Sequence, residues 1–237
     1  MKKNDNRKAG ITREYSAIGI SIDYVIFNFD DEGLKVLLVN EKDQNENWGL
    51  ASDWISEGET IESTSNKILQ KYIGTDNFFM EQLKAFNYPS QYSLKEDISI
   101  SIGYYALVKK NNPVLSNDSK IIGAKWFKIN EALRLNYKHH MILEYSLKEL
   151  KKRICQSGIG FNLLPEKFTL LQAMHLYEEI LGVEMNKSNF RRKIFQMGLV
   201  LDIDEKKEDV SHRAAKFYKF NIENYEKLVQ RGFNFKF

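Results

Sequence analysis

The chain has 237 residues, of which 43% are hydrophobic and 13% aromatic, and its formal net charge is +3. This length suits one large domain or two small ones, and the apolar fraction excludes a disordered chain. The small net charge gives no whole-chain attraction to nucleic acid, so any nucleic-acid surface must be local. Residues 1–15 are charged and are not followed by an apolar stretch, which predicts a flexible arm and excludes a signal peptide.

The single cysteine, Cys155, cannot form an internal disulfide, which favours a cytoplasmic location. One cysteine and four histidines without metal-ligand spacing predict no metal site, and the adjacent His139 and His140 are instead predicted to begin a helix. No stretch reaches the roughly 18 apolar residues that a membrane helix needs. We therefore expect no metal, no cofactor and no membrane partner.

Residues 16–156 are rich in strand patterns and contain one early helix. Helical spacing of apolar residues predicts this helix over residues 60–73, with Gly74 as its end. A turn at residues 29–33 predicts a hairpin. The strands predicted by alternation and apolar runs lie at residues 20–26, 34–39, 81–87, 99–108 and 122–127. Strands interrupted by a helix predict an α+β fold, with a mixed sheet flanked by helices.

A helical period replaces the strand pattern before the end of this segment. An apolar stripe at spacings of four, three and four residues predicts one long helix. The stripe consists of Leu143, Leu147, Leu150 and Ile154. The stretch 155–160 contains two glycines, and we place the domain boundary there, so that residues 157–237 form a second domain. Its helix, turn, helix and two strands are typical of a winged helix–turn–helix.

Two short helices in residues 157–237 have recognisable ends. Thr169 is a predicted N-cap for a helix that Gly182 ends, and Asn186 is a predicted N-cap for a helix over residues 187–197. The second helix should bury Phe190, Ile194 and Met197. In the hairpin that follows, Leu199, Leu201 and Ile203 are predicted to turn inward. Phe195 lies beside the polar helix face, and the pattern assigns it no role.

The outward face of the second helix carries basic and amide side chains and no acid. Arginine suits guanine, asparagine and glutamine suit adenine, and a basic hairpin can hold phosphate, so this module is predicted to bind double-stranded DNA. A solvated basic helix face is the alternative interpretation. The predicted DNA contacts are Lys187, Ser188, Asn189, Arg191, Arg192, Lys193, Gln196, Lys206, Lys207, Ser211, His212, Arg213 and Lys216.

The segment WGLASDWISEGETIESTSNKILQKYIGT, residues 48–75, resembles the Nudix signature. That signature runs Gly, five residues, Glu, seven residues, Arg-Glu-aliphatic, one residue, Glu-Glu, one residue, Gly-aliphatic. Asp53 stands at its first Gly, Glu59 at its isolated Glu and Gly74 at its closing Gly. The order of apolar strand, polar loop, box and later strand is also similar to that of Nudix domains. The resemblance implies a Nudix-like fold.

Three metal-binding positions of this box carry residues that cannot hold a divalent cation. Nudix enzymes cleave diphosphates with Mg²⁺ or Mn²⁺ held by glutamates on one helix face, and such cations need several carboxylate oxygens. By the resemblance, Ile68, Lys71 and Tyr72 stand where those glutamates belong. An apolar side chain cannot bind Mg²⁺ and an ammonium repels it. The prediction is therefore no catalytic residue and no hydrolase activity in this box.

The stretch GFNLLPEKFTLLQAMHLYEEILGVEMNKSNFRRKI, residues 160–194, resembles the Nudix-related transcriptional regulators of bacteria. The shared patterns are Leu-Pro-x-x-Phe-Thr-Leu, Leu-Tyr-Glu-x-Ile-Leu-Gly and Asn-Phe-Arg-Arg-Lys, and the overall similarity runs over residues 16–221. This resemblance implies a homodimer that binds a palindromic DNA operator. It also implies a small-molecule effector bound by the degenerate Nudix-like domain.

The effectors known for this family include ADP-ribose-type nucleotides and pentoses such as arabinose. The family often has a basic pair where this chain has Asn40-Glu41, and an arginine where it has Ile98. A diphosphate needs such groups, so their loss favours a neutral sugar and control of sugar-utilisation genes. Aromatic and carboxylate side chains are the candidate effector contacts, although each can equally be core or solvated surface. They are Trp48, Asp53, Trp54, Glu57, Glu59, Asp97 and Tyr104.

Three other functions remain open at this stage. The first is a regulator of NAD metabolism that responds to ADP-ribose or another nucleotide. The second is a divergent Nudix hydrolase that uses other carboxylates, such as Glu57, Glu59 and Glu62. The third is a protein-interaction scaffold that has lost DNA binding, against which the basic helix argues.

Overall fold

The computed structural model describes residues 19–41, 48–74, 78–87, 99–109, 121–132, 135–206 and 215–232. Its strands are β1 (Gly19–Asp30), β2 (Gly33–Glu41), β3 (Trp48–Gly49), β4 (Ala51–Trp54), β5 (Phe78–Asn87), β6 (Ser99–Val108), β7 (Ile121–Lys128), β8 (Phe168–Thr169), β9 (Val200–Lys206) and β10 (Lys216–Phe220). Its helices are α1 (Ile61–Tyr72), α2 (Tyr137–Gln156), the 3₁₀ helix Gly158–Leu163, α3 (Leu170–Leu181), α4 (Lys187–Gln196) and α5 (Ile222–Gln230). No helix in the described part of the chain is long and apolar enough to cross a membrane.

The first seven strands form one mixed sheet in the order β3-β2-β1-β6-β5, with β4 also paired to β1 and β7 to β2. β1 and β2 form the predicted hairpin, which closes where Asp30 pairs with Gly33. Gly33 has a φ of 114°, a conformation that only glycine adopts without strain. β1 also runs parallel to β6, beginning with Gly19 opposite Ser99. The predicted α+β architecture is confirmed.

Helix α1 begins and ends as the sequence predicts. The Thr60 hydroxyl accepts the N–H of Ser63, and the Ser63 hydroxyl accepts the N–H of Thr60, which forms a capping box. Ile73 is the C-cap, and Gly74 follows at a φ of 63°. The side chains that α1 buries against the sheet are Thr64, Ser65, Ile68, Leu69 and Tyr72.

The sheet is buried on both faces, because successive side chains of a strand point to opposite sides. We call the side that carries Ile22 and Ile26 the α1 face, since these residues pack with helix α1. The side that carries Val25 and Phe27 is the α2 face, where they share an apolar cluster with Ile142 of α2. β1 is therefore buried almost throughout, as a strand in the middle of a three-layer fold must be.

The α2 face shares its core with the C-terminal module. The apolar cluster runs from Val25 and Ile142 through Phe161 of the 3₁₀ helix to Tyr177 of α3 and Phe190 of α4. Full burial of aromatic and aliphatic side chains contributes about 1.5–3 kcal/mol each, so this shared cluster stabilises both modules. The chain passes from one module to the other through this core, because the 3₁₀ helix after α2 is itself buried.

The C-terminal module has the predicted winged helix–turn–helix layout. Thr169 caps α3 through a capping box with Gln172, and Gly182 ends α3 at a φ of 71°. Asn186 caps α4 by accepting the N–H of Asn189. β8, β10 and β9 form a three-stranded antiparallel sheet beside these helices. Strand β8 and helix α5 are additional elements that the periodicity did not indicate.

One prediction for the wing, the hairpin formed by β9 and β10, is wrong. Leu199 is buried, but Leu201 is 49% exposed, and the buried residue beside Leu199 is Val200. Strand β9 begins only at Val200, which pairs with Phe220 of β10. Leu199 thus belongs to the turn after α4, and within β9 the alternation is irregular: Val200 is buried, Leu201 and Asp202 are exposed, and Ile203 is half-buried.

Candidate functional site

The exposed face of α4 is fixed by the side chains that the helix buries. Phe190 and Ile194 have 1% and 0% exposure and belong to the shared core, as predicted, and Met197 is half-buried. Residues three and four apart share a helix face, so these anchors turn the other side chains outward. The exposed residues of α4 are Lys187, Ser188, Asn189, Arg191, Arg192, Phe195 and Gln196.

Arg192 and Asn189 form a hydrogen-bonded pair on this face. The Arg192 Nη2 donates to the Asn189 Oδ1 at 3.2 Å, which leaves further guanidinium donors directed at solvent. A guanidinium fork can bind the O6 and N7 of guanine, and an amide can bind adenine. The pair therefore presents two base-reading groups from a helix that the core holds in place.

Lys193 points away from the centre of the exposed face. It is half-buried, and burial lowers the pKa of its ammonium. Together with Cys155 of α2 and Met185 it lines a cavity of about 820 Å³ beside α4. Of the predicted DNA contacts on α4, Lys193 is the one turned toward the rest of the molecule.

Phe195, to which the sequence assigns no role, connects α4 to the wing. Its ring meets Tyr218 of β10 edge-on, with the centroids 5.7 Å apart. The guanidinium of Arg191 lies 5.3 Å from the Phe195 centroid, within the range of a cation–π contact. Phe195 therefore holds Arg191 and fixes the distance between the helix and the sheet behind it.

The described part of the wing places two of its predicted contacts. Lys216 of β10 forms an ion pair with Asp202 of β9, so its charge is partly neutralised. Lys206 is the register partner of Lys216 at the end of the described hairpin. The other predicted wing contacts lie outside the described residues: Lys207, Ser211, His212 and Arg213.

Helix α5 holds the end of α4. Asn224 Nδ2 donates to the carbonyl oxygen of Met197 at 2.7 Å and to that of Gly198 at 3.2 Å. The last carbonyls of a helix lack partners within the helix, so this amide satisfies groups that would otherwise need water. Gly198 has a φ of 59°, and a Cβ there would lie 2.8 Å from the same Asn224 nitrogen.

Two of the three residues that the resemblance assigns to metal-binding positions lie in an apolar core. Ile68 and Tyr72 are each 1% exposed and pack with Ile22 and Ile26 on the α1 face. Lys71 lies over the Tyr72 ring, with its ammonium 5.3 Å from the centroid. Among the described residues, no three His, Cys, Asp or Glu side chains are grouped as a metal site.

Glu59 braces the loop before α1. Its carboxylate accepts hydrogen bonds from the Ser56 N–H at 3.1 Å and the Thr64 hydroxyl at 3.0 Å, and pairs with Lys67 at 2.5 Å. The hydrogen bond from Lys67, then those from Ser56 and Thr64, lower the pKa of Glu59. This carboxylate is thus engaged by its own loop and helix, while Glu57 is exposed.

The candidate effector residues lie on two faces and do not form one pocket. Trp48 packs edge-on against Phe127 and joins the α2-face cluster. Tyr104 stacks on Tyr24, with centroids 5.2 Å apart, and so belongs to the α1 face. Asp53 neighbours Trp54 in β4 and therefore points to the opposite side of that strand. Asp97 lies outside the described residues.

A buried ionic cluster lies on the α2 face, beside Trp54. Asp23 is fully buried, and its Oδ1 lies 3.0 Å from the Lys138 ammonium and 3.3 Å from Nε2 of His139. Ser21 donates to Asp23 at 2.9 Å and accepts from Lys138 at 3.1 Å. Burial alone raises the pKa of Asp23, but the His139 hydrogen bond and the Lys138 charge outweigh it and lower that pKa to about 2.

A backbone N–H orients the His139 ring through the ring nitrogen that faces away from Asp23. Its Nδ1 accepts the N–H of Leu50 at 3.2 Å, so the ring proton is carried by Nε2, which faces Asp23. The sequence correctly predicts that His139 and His140 belong to the start of a helix, because they fall in the first turn of α2. It does not indicate that His139 is buried at a carboxylate.

A second ionic group ties the far end of α2 to the sheet. Arg153 of α2 pairs with Glu81 of β5, and the Tyr105 hydroxyl of β6 donates to the same carboxylate at 2.7 Å. Burial, then the Glu81 contact, raise the pKa of Tyr105 well above its usual range. Helix α2 is therefore anchored to the sheet by polar groups at both ends.

Comparison with known proteins agrees with this arrangement. Residues 160–220 match the family model described as the NrtR DNA-binding winged helix domain. The ADPR responsive transcriptional repressor NtrR of Acinetobacter baylyi is 24% identical over 224 residues, covering 90% of this chain and 86% of that protein. Shewanella oneidensis NrtR, crystallised with a 27mer DNA, is 26% identical at a TM-score of 0.72, covering 87% of this chain and 95% of that one.

The chain is thus similar over most of its length to Nudix-related transcriptional regulators, and residues 160–220 match the NrtR winged helix domain. The Nudix domain of Shewanella oneidensis NrtR, crystallised with ADP ribose, is 24% identical at a TM-score of 0.50, covering 60% of this chain and 94% of that one. That likeness shows the Nudix fold alone. The predicted resemblance to these regulators and the predicted winged helix domain are confirmed. The predicted arabinose response is not supported, because the Acinetobacter baylyi relative is named for ADP-ribose.

The most informative residues missed from the sequence are Asp23 and Lys138. One signal was present, since Ser21 and Asp23 are polar residues at alternate positions of an otherwise apolar strand. That alternation marks one face of β1 as unusual. It does not identify Lys138, which lies far along the chain at the start of α2.

Proposed function

We propose that this regulator is a homodimeric transcriptional repressor of the cytoplasm. In this proposal, residues 157–237 bind a palindromic operator, and residues 16–156 bind an ADP-ribose-type nucleotide that controls DNA affinity. The observation that carries DNA binding is the outward face of α4, centred on Arg192 and held by Phe190 and Ile194. An effector of this class links the regulator to genes of NAD metabolism.

The division of labour on the DNA surface follows from exposure and charge. Arg192, Asn189 and Gln196 read base edges, whereas Lys187 lies at the N-terminus of α4, where helix amides also favour a phosphate. Arg191, held over Phe195, reaches the backbone at the edge of the same groove. The basic wing residues add further phosphate contacts, with Lys216 contributing least because Asp202 pairs with it.

The choice of a nucleotide over a pentose rests on the relatives and on the position of Asn40. The expectation of a neutral ligand depends partly on Asn40, which stands where the family often has a basic residue that could bind phosphate. In the fold, Asn40 is buried at 7% exposure, so its side chain is not available to a ligand in solution and does not report on the ligand's charge. The Acinetobacter baylyi relative, which is named for its response to ADP-ribose, supports the nucleotide.

Fluorescence anisotropy with the promoters of the chain's own operon and of NAD-metabolism genes tests both parts. We expect specific binding that weakens with salt, because phosphate contacts release counterions. Replacing Arg192 with alanine should weaken specific binding by about 1–3 kcal/mol, while Lys148→Ala, on the exposed side of α2, should leave it unchanged. ADP-ribose should release the DNA at concentrations at which arabinose has no effect.

Two results would overturn the proposal in different ways. Failure to bind any of these promoters at low salt would remove the DNA-binding function. Release by arabinose and not by ADP-ribose would keep the regulator but reinstate a sugar as its effector.

We also infer that the Nudix-like box does not hydrolyse diphosphates. Ile68 and Tyr72 occupy its metal positions as core residues, and Glu59 is engaged by Ser56, Thr64 and Lys67. Incubation with Mg²⁺ or Mn²⁺ and ADP-ribose should give no product. Turnover that disappears in Glu59→Gln would establish the divergent hydrolase instead.

A further inference from the structure

Lys138 occupies an unusual position between a buried carboxylate and an exposed aromatic ring. Its ammonium contacts Asp23 at 3.0 Å and Ser21 at 3.1 Å, and lies 5.9 Å from the centroid of the Trp54 ring. The side chain of Lys138 is 27% exposed, whereas Asp23 is fully buried and Trp54 is 53% exposed. Lys138 is thus the part of the buried cluster that solvent can reach.

We propose that Lys138 and Trp54 form an effector subsite on the α2 face, in which the ammonium binds a phosphate oxygen and the indole stacks on a ring of the same ligand. This subsite deepens the proposed function and rests on it, because it assigns residues to the nucleotide that the regulator binds. The ligand class is a nucleotide that carries a phosphate within reach of an aromatic or ribose ring.

The charge distribution favours an anion at this position. An ammonium has three donors; Lys138 donates a hydrogen bond to Ser21 and forms an ion pair with Asp23. Lys138 also lies in the first turn of α2, which contains no acidic residue. Positive side chains are unfavourable at a helix N-terminus, where the helix dipole is itself positive. The single charge of Asp23 offsets Lys138, and the field of the helix terminus remains for a ligand.

Ser21 and Ser101 fix the ammonium in place. The two hydroxyls lie 2.9 Å apart on the paired strands β1 and β6, and Ser21 also donates to Asp23. Both serines are almost fully buried, with 3% and 2% exposure. A lysine held in this way loses little side-chain freedom when a ligand binds, which favours affinity.

One side of the Trp54 ring packs against the backbone of β1. A Cβ at Gly19 would lie 2.8 Å from Cζ3 of the indole, so the ring rests directly on the backbone of β1. Most of its remaining surface is open, and an exposed tryptophan of this size is a stacking surface that a nucleotide ring can use. Only glycine at position 19 leaves room for this placement.

The subsite has a direct physical connection to the DNA-binding helix. Lys138 is the second residue of α2, a helix of 20 residues and about 30 Å. The other end of α2 carries Cys155, which lines the same cavity as Lys193 and Asn189 of α4. A ligand that moves the start of α2 therefore acts on a rigid element that ends at the recognition helix.

Isothermal titration calorimetry of the full chain tests the subsite with ADP-ribose, adenosine, inorganic phosphate and arabinose as ligands. Lys138→Met should weaken ADP-ribose binding at least about tenfold, because it removes a charge-assisted hydrogen bond, and should leave adenosine unchanged. Trp54→Leu should weaken both ligands. The control Lys125→Met, at an exposed position of β7, should weaken neither.

Lys138→Met leaves the buried charge of Asp23 without its ammonium, which destabilises the fold, so a second variant is needed. The double variant Asp23→Asn with Lys138→Met removes both charges, and it should also lose ADP-ribose affinity while its thermal unfolding stays cooperative. Wild-type affinity for ADP-ribose in this folded double variant and in Trp54→Leu would overturn the subsite and leave the proposed function intact. Binding of arabinose but not ADP-ribose by the wild type would overturn the proposed effector and the anionic subsite together.

Discussion

The two faces of the seven-stranded sheet differ in what they bury. On the α1 face, the resemblance assigns two glutamate positions of the Nudix signature to Ile68 and Tyr72, both 1% exposed in an apolar cluster. On the α2 face, Asp23 is fully buried with His139 and beside Lys138. The α1 face therefore has apolar side chains at Ile68 and Tyr72, where Nudix chemistry requires carboxylates, whereas the α2 face buries the carboxylate of Asp23.

This difference shows which face carries a cost that stability does not explain. A buried ion pair is often no more stable than well-packed apolar residues of similar size, because its charges must be desolvated. The α1 face buries apolar side chains at Ile68 and Tyr72, whereas the α2 face keeps a buried carboxylate whose desolvation is unfavourable.

The largest effect is expected when a glutamate is restored to the α1 face. Ile68→Glu places a carboxylate in an apolar core without a partner, which should lower the free energy of unfolding by about 3–5 kcal/mol in urea denaturation. Gln70→Glu, at an exposed position of the same helix, should change it little. Stabilisation of the Ile68→Glu variant by Mg²⁺ would mean that the metal site persists, contrary to the comparison.

The next effect concerns the α2 face and depends on pH. The pKa of Asp23 is about 2 in the folded protein and 3.8 in the reference state, so its ionised form contributes about 2 kcal/mol of stability above pH 4. That contribution is lost as the pH falls from about 4 to 2. Urea unfolding of Asp23→Asn should show a shallower decline over this range, whereas Asp31→Asn should decline like the wild type.

A smaller effect is expected at the far end of α2. Arg153→Met removes the partner of Glu81, but both side chains are partly exposed, so the loss should be about 1 kcal/mol or less. Thermal unfolding measures this loss, with Lys148→Met as a control on the same helix. The sharper measurement is DNA release, because a weaker anchor for α2 should reduce the response to ADP-ribose. An unchanged response would show that α2 does not connect the two sites.

The smallest effect is expected in the loop of the Nudix-like box. Glu59→Gln keeps the shape of the side chain but removes the charge that pairs with the exposed Lys67. The midpoint of thermal unfolding should fall slightly, and less than in the other variants, while DNA binding stays at the wild-type level. A large loss of DNA binding would show that the Nudix-like box has a role in DNA binding.

Local features of the fold were predictable from the sequence. The caps Thr60, Thr169 and Asn186 each act on a backbone group three residues away, so the sequence contains both partners within one turn. The burial of Phe190 and Ile194 also follows from helical spacing. These features depend on neighbours along the chain, which a periodic pattern reports directly.

Features that depend on distant partners were not predictable. The parallel pairing of β1 with β6 joins Gly19 to Ser99, and the contact of Asp23 with Lys138 joins β1 to α2. The alternation of residues in β1 shows that Asp23 is polar among apolar neighbours, but it does not identify Lys138 as its partner. The prediction for the wing was wrong for a local reason, because Leu199 precedes β9 and the strand itself does not alternate strictly, with Leu201 and Asp202 both exposed.

The continuous core from the sheet to α4 also limits how such regulators can diversify. Val25 and Ile142 share one cluster with Tyr177 and Phe190, so a chimera joined after residue 156 would expose aromatic surface on both halves. Outward polar residues of α4 such as Asn189 and Arg192 lie outside that cluster and can be exchanged one at a time. New operator preferences in this lineage should therefore arise by substitution on a fixed scaffold, and recombination of whole modules should be selected against.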